Sequence, residues 1–339
     1  MLAENALTAA RNRSTLRVAM HKHSAIPLRE IQTARDRLRS TISATPLVPL
    51  NLAEAPYPIY LKLENLHPVG SFKIRGAGNA LIGAEPGRLS KGVWTVSAGN
   101  MAQAVAWYAR RLGIACHVIV PDDAPVAKLE ATQRLGARIR TVPFADYQAI
   151  QIDHTFPGMG GLLIHPFGDD AVIAGNGTIG LEILEEMPEV EAIIIPYGGG
   201  GLACGIASAL RSLQPRVRLY ATEVSTAAPF AASLAAGRPV DVPFTPSFVS
   251  GIGAPFVFPE MWELASRLLD GSLVVTVSQT AEAIRILCER NHVVAEGAGA
   301  VSVAAALSGK VPAKKIVCIV SGGNIDSIKL DHIIRREDP

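Results

Sequence analysis

Short apolar runs rich in β-branched residues alternate along this chain with alanine-rich runs, and glycine or proline marks most of the junctions. Nothing else in the sequence narrows the possible folds so far. The apolar runs lie at residues 93–97, 117–121, 138–142, 192–196, 218–222, 273–277 and 316–320, and the alanine-rich runs at 102–112, 126–135 and 203–213 have helical spacing. A strand that is apolar along its whole length is covered on both faces. Strands that each lead into a helix form parallel sheets, because a parallel neighbour is reached only by a crossover. The expectation is an α/β fold of open parallel sheets, and 339 residues leave room for two domains.

The net charge of +2 gives no reason to expect nucleic acid or an anionic membrane surface as a partner. No apolar stretch approaches the 18 or so uninterrupted residues of a membrane span. Cys116, Cys204, Cys288 and Cys318 stand far apart without CxxC spacing, so they read as reduced residues of a cytoplasmic protein. Arg11, Arg13, Arg17 and Lys22 against a single Glu4 fit either a transit peptide or a plain extension in which Met20 is an alternative start; residues 1–25 are taken as an extension. Ordered structure should begin near Leu28, where Ile31, Ala34, Leu38 and Ile42 share a helical face. Residues 149–161 read as a domain crossing, and the proline-rich stretch 239–259 as a surface excursion.

Four glycine-marked segments carry chemistry. Lys73 stands between Phe72 and Ile74-Arg75-Gly76, with an apolar flank that would lower its pKa and a glycine that leaves room for a bulky partner. Its bland alternative is a surface lysine opening a helix. Gly198, Gly199, Gly200 and Gly201 follow an apolar strand and precede a helix, so their N–H groups can converge on an anion such as a phosphate monoester. The same stretch satisfies the dinucleotide pattern Gly198-x-Gly200-x-x-Ala203 with Glu223 further on, which would make the protein a nicotinamide-dependent oxidoreductase and leave Lys73 unexplained. Ser97-Ala98-Gly99-Asn100-Met101 offers free N–H groups suited to a carboxylate, or an ordinary helix cap. Ser321-Gly322-Gly323-Asn324 presents a hydroxyl at the end of a strand. An amine, a phosphate cradle, a carboxylate turn and a lone hydroxyl together match the needs of pyridoxal 5′-phosphate.

In this order the segments resemble the fold-type II pyridoxal-phosphate enzymes, which are tryptophan synthase β-like, and within them the branch of threonine/serine dehydratases and serine racemases. The likeness runs from about Ile31 to Asp331 and includes Lys62-Leu63-Glu64-Asn65, His165-Pro166-Phe167 and Gly177-Thr178-Ile179-Gly180. The resemblance implies a large domain of residues 26–91 plus 167–339, a small domain of 92–166, the cofactor in the cleft between them, and a homodimer. It implies that Lys73 binds the cofactor covalently beside Phe72. Gly198 to Gly201 with Leu202 would hold its phosphate, Asn100 its ring hydroxyl and Ser321 its pyridine nitrogen. Gly251 and Glu296 would line the ring, and Ser97, Ala98, Gly99, Asn100 and Met101 would bind the substrate carboxylate. The implied reaction is α,β-elimination from a β-hydroxy amino acid such as L-threonine or L-serine, giving a 2-oxo acid and ammonia in amino-acid catabolism. Racemisation and β-replacement are the alternatives within the family.

Three departures from the family pattern modify this expectation. Ala98 stands where racemases carry a second serine, so racemisation should be negligible. Met101 replaces a histidine common in dehydratases, which points to a larger, even aryl, β-substituent unless it only packs under the turn. Glu223 has no second carboxylate near residues 227–229, so no metal site is expected. Only a few residues follow the Ser321 segment, so the regulatory domain of biosynthetic threonine dehydratases should be absent.

Overall fold

The computed structural model describes residues 23–124 and 126–337, and the basic segment with Arg11, Arg13, Arg17, Met20 and Lys22 lies outside them. The chain builds two sheets. The larger has the order β1-β2-β10-β7-β8-β9, with β1 Leu47–Pro49, β2 Ile59–Leu63, β7 Ala192–Pro196, β8 Arg218–Val224, β9 Gly271–Val275 and β10 Ile316–Val320. The smaller has the order β5-β4-β3-β6, with β3 Val93–Val96, β4 Cys116–Pro121, β5 Arg138–Val142 and β6 Leu162–Leu163. Every pairing is parallel except β1 with β2.

Two-sided burial is visible residue by residue. Ile193, Ile195, Leu219, Ala221, Val317 and Ile319 belong to the core on one face of the large sheet, and Ala192, Ile194, Ile316, Cys318 and Val320 to the core on the other. The period of two places alternate residues on opposite faces, so a strand buried on both must be apolar throughout. At the edges the demand relaxes: Arg138, Arg140 and Thr141 of β5 are exposed.

The chain passes from the large sheet to the small one through helix Lys73–Ile82 and returns through helix Asp170–Glu186, and these two helices pack together. Gly175 makes the contact possible, since a Cβ there would lie 2.5 Å from the Arg75 carbonyl oxygen. A buried ion-pair cluster ties the junction. Arg75 donates to both Glu64 oxygens at 2.7 and 2.9 Å and to both Glu182 oxygens at 2.6 and 2.8 Å. Lys62 reaches Glu182 and Glu186 at 2.8 Å each. Burial opposes the Glu64 charge, but Arg75 and His67 outweigh it and hold the carboxyl well below its ordinary range.

Several expectations need correction. Residues 149–161 do not cross between domains: they end helix Phe144–Asp153 and lead into β6, which pairs with β3 of the same sheet. A two-residue strand is too short to show a period, so this return was invisible in the sequence. β9 ends at Val275 and not at Val277, because Thr276 forms a capping box with Gln279 and draws Val277 into a helix. The stretch 239–259 is only partly a surface excursion, since Phe248, Val249 and Ile252 turn back into the core. Among the described residues no helix is long and apolar enough to cross a membrane.

Candidate active site

Lys73 opens helix Lys73–Ile82, and the strand-like residues before it are tied to the Ser321 turn. Ser71 forms an antiparallel bridge with Gly322, Phe72 N–H donates to the Ser321 carbonyl at 3.0 Å, and Gly323 N–H donates to the Gly70 carbonyl at 2.9 Å. The Lys73 amine lies 5.0 Å from the centre of the Phe72 ring and donates to the Pro166 carbonyl at 2.5 Å. Burial pushes its pKa down from 10.5 to about 8, with the Glu296 carboxylate pulling in the opposite direction. A neutral amine is a nucleophile and a base, so this environment prepares both roles.

Pro166 owes its place to His165. The His165 ring accepts Gly168 N–H on Nδ1 at 2.7 Å and meets the Gln151 carbonyl through Nε2 at 3.0 Å. These partners require the neutral tautomer with its proton on Nε2. Burial drives the His165 pKa well below 6.5, and neighbouring His154 and Lys73 add to it. The loop fixed in this way also carries Phe167, whose ring would be 2.3 Å from a Cβ on Gly199 and whose carbonyl oxygen would be 2.7 Å from a Cβ on Gly201.

Of the four glycines, Gly198 to Gly200 sit between β7 and helix Gly201–Leu213, which Gly201 opens, and Gly200 lies at φ +87° in the left-handed region. Their N–H groups, with those of Leu202 and Ala203, find no acceptor among the described residues. Close packing therefore explains why side chains are absent, and the unused donors at a helix N-terminus are suited to an anion. Leu202 itself is buried in the core behind the loop.

Asn100 joins the two sheets. Its Nδ2 donates to Glu296 Oε1 at 2.7 Å, and its Oδ1 accepts from Asn324 Nδ2 at 2.8 Å. Gly322 must be glycine here, since a Cβ would lie 2.3 Å from Glu296 Oε1. Ser321 is buried and donates to the Ala298 carbonyl at 3.3 Å. Gly251 belongs to the same group, a Cβ there falling 2.8 Å from Ala298 Cβ and 4.0 Å from Glu296 Oε1. In the turn after β3, Ser97 Oγ accepts Gly99 N–H at 3.2 Å, and residues 97–100 stay partly accessible. A Cβ on Gly99 would meet nothing within 4 Å, so the turn borders open space.

Of the two readings of Met101, the structure favours the second: its side chain is 1% exposed and belongs to the core of the small sheet, packed under the turn. Glu223 is spent as well: its oxygens accept the N–H groups of Phe230 and Ala231 at 2.8 Å and the Ser272 hydroxyl at 2.6 Å. It caps a helix and is not free for a ribose or a cation. His154, His165 and Glu260 come close enough together to face a cation. Both His165 nitrogens are already bonded, however, and its ring stacks on His154 at 4.0 Å, which keeps their lone pairs from converging.

Sequence reasoning named Pro166 within a motif but gave it no role, because its contribution is a backbone carbonyl with no side-chain signature. It also left Asn324 without a task, although the residue lay inside a motif already singled out.

Known proteins resemble this chain over most of its length. The family model described as pyridoxal-phosphate dependent enzyme matches residues 38–322. The L-threonine ammonia-lyase of Geobacter sulfurreducens is 40% identical over 319 residues, covering 92% of this chain and 79% of the relative. Among solved structures, maize serine racemase aligns with a TM-score of 0.83 at 33% identity, covering 92% of this chain and 98% of the other. The processed form of threonine deaminase isoform 2 from Solanum lycopersicum aligns with a TM-score of 0.81 at 28% identity, covering 93% of this chain and 94% of the other.

Proposed function

This chain belongs to the pyridoxal-phosphate dependent enzymes, and from that premise we propose that it is a threonine ammonia-lyase, converting L-threonine to a 2-oxo acid and ammonia. The nicotinamide alternative falls with the family match and with the internal use of Glu223. The observation that carries the proposal is Lys73: a desolvated amine held by the Pro166 carbonyl and facing Glu296, next to the Ser321 turn.

The residues present fit the cofactor. Six consecutive N–H groups without acceptors among the described residues suit its phosphate, Lys73 its aldehyde, the Ser321 hydroxyl its ring nitrogen and Asn100 its ring hydroxyl. When bound, pyridoxal phosphate supplies the electron sink that makes the substrate Cα proton acidic. With that group held in the site, the Lys73 amine would take this proton as general base. The Ser97–Asn100 turn holds the carboxylate and so fixes which Cα bond faces Lys73. The Cβ hydroxyl would leave with a proton as water, and hydrolysis of the released enamine would give the 2-oxo acid and ammonia. Ser321 is a neutral hydroxyl, which keeps no permanent charge at the ring nitrogen and favours loss of the β-substituent.

Similarity to racemases raises a second reading, and Ala98 opposes it, because a methyl group cannot deliver a proton to the second face. We therefore expect the purified protein to release 2-oxo acid from L-threonine while producing negligible D-serine from L-serine, as measured by oxo-acid trapping and chiral chromatography. The working domain division remains 26–91 plus 167–339 against 92–166, consistent with the helices Lys73–Ile82 and Asp170–Glu186 that join the sheets. A cytoplasmic homodimer is the proposed assembly, to be checked by sedimentation.

A further inference from the structure

Asn324 follows β10 and reaches two other segments. Its Nδ2 donates to the Val69 carbonyl at 2.8 Å and to Asn100 Oδ1 at 2.8 Å. The opposite side of the Asn100 amide continues the series, with Nδ2 donating to Glu296 Oε1 at 2.7 Å. Both ends are fixed, because a carbonyl and a carboxylate oxygen only accept. Val69 therefore requires the amide nitrogen of Asn324, that nitrogen requires Asn100 Oδ1, and Glu296 requires Asn100 Nδ2. Turning the Asn100 amide over would set two NH2 groups against each other and an oxygen against a carboxylate. Asn324 is itself held in place. A Cβ on Gly70 would fall 2.6 Å from Asn324 Oδ1, and the neighbouring Gly323 N–H donates to the Gly70 carbonyl at 2.9 Å. Asn100 Nδ2 carries two protons and Glu296 takes one, while the second has no acceptor among the described residues. Gly322 leaves that nitrogen room, since a Cβ there would lie 3.2 Å from it, and Asn100 is only half-buried.

We propose that Asn324 is a positioning residue that sets the direction of the Asn100 amide, so that Asn100 meets the ring hydroxyl of the cofactor as a donor and not as an acceptor. This rests on the assignment of Asn100 to that hydroxyl. A donor favours the ionised form of the ring oxygen, because hydrogen bonds to a charged acceptor are the stronger ones. An acceptor in the same place would favour the protonated form. Asn324 acts only through Asn100, and the consequence is a preference in binding: the site gains from the ring oxygen only while Asn324 holds the amide.

The test compares pyridoxal phosphate with its 3-deoxy analogue, which lacks the ring hydroxyl, in equilibrium dialysis against the cofactor-free protein. The variants are Asn100→Ala, Asn324→Ala and Asn324→Asp, each checked for folding by thermal melting. Alanine removes the Asn324 donors without adding charge, and aspartate removes them while keeping the side-chain shape, so either variant alone carries the test. The preference for pyridoxal phosphate over the analogue should fall about tenfold from the wild type to Asn100→Ala, and by a similar factor in both Asn324 variants. Binding of the analogue should stay within about twofold throughout. Adding Asn324→Ala to Asn100→Ala should cost no further preference, because the two residues act in series. If Asn100→Ala keeps the wild-type preference, the ring-hydroxyl assignment fails and the proposal falls with it. If Asn100→Ala loses the preference while the Asn324 variants keep it, the assignment stands and Asn324 has only a structural role, which overturns the proposal. A further loss in the double variant would show a separate contact of Asn324 and overturn it as well.

Discussion

At Lys73 the chemistry depends on a balance that the flanking sequence showed only in part. Phe72 and Gly76 mark an amine in apolar surroundings, but Glu296 and the Pro166 carbonyl come from far along the chain and set the charge balance. With a pKa of about 8, the amine is charged and unreactive at lower pH and neutral above. Capture of pyridoxal phosphate by the cofactor-free protein should therefore accelerate as pH rises and level off just above 8, not near 10.5, when followed by visible absorption. Lys73→Ala should give neither the visible band nor any 2-oxo acid, while thermal melting shows it folded. Met101 teaches the opposite lesson. Its identity departed from the family, yet its direction could not be read, because helical position alone does not say which side of a turn a side chain leaves.

Among the secondary elements, legibility followed burial. β7 and β10 are apolar along their full length and were bounded correctly, because two covered faces leave no position for a polar residue. β1 and β6, at three and two residues, carry no period at all. The glycine loop was visible as an anion site, but its packing partner Phe167 was not. Gly199→Ala would push a methyl group into that ring, and weaker cofactor binding by roughly tenfold or more is the expected result, read by equilibrium dialysis. The crossing helices make a second prediction. Glu64 titrates well below 4.5 in the fold, so its pairing with Arg75 stabilises fully above that value and is lost as pH falls. Stability measured by urea unfolding should therefore drop between about pH 5 and pH 3, and Glu64→Gln should start lower and flatten that slope.

Over the whole molecule, the alternation of strands and helices announced parallel sheets but not their order. β10, last in the chain, inserts between β2 and β7, and only that insertion brings Ser321 beside Lys73. Likewise Asn100 reaches Glu296 and Asn324 across 196 and 224 positions of sequence, so the site exists only when both sheets are assembled. Motif order revealed the family, whereas the contacts that tune Lys73 and hold the turn proposed for the substrate carboxylate depend on tertiary packing. Elimination without racemisation is the behaviour proposed for this assembly, with Lys73 as the base for the Cα proton and Ala98 without a proton to return. The most direct measurement supplies L-threonine to the loaded protein and quantifies 2-oxo acid and ammonia together, with Lys73→Ala alongside. Equimolar release that disappears in the variant is the predicted result. Release that persists in Lys73→Ala, or intact threonine with the loaded wild-type protein, would contradict it.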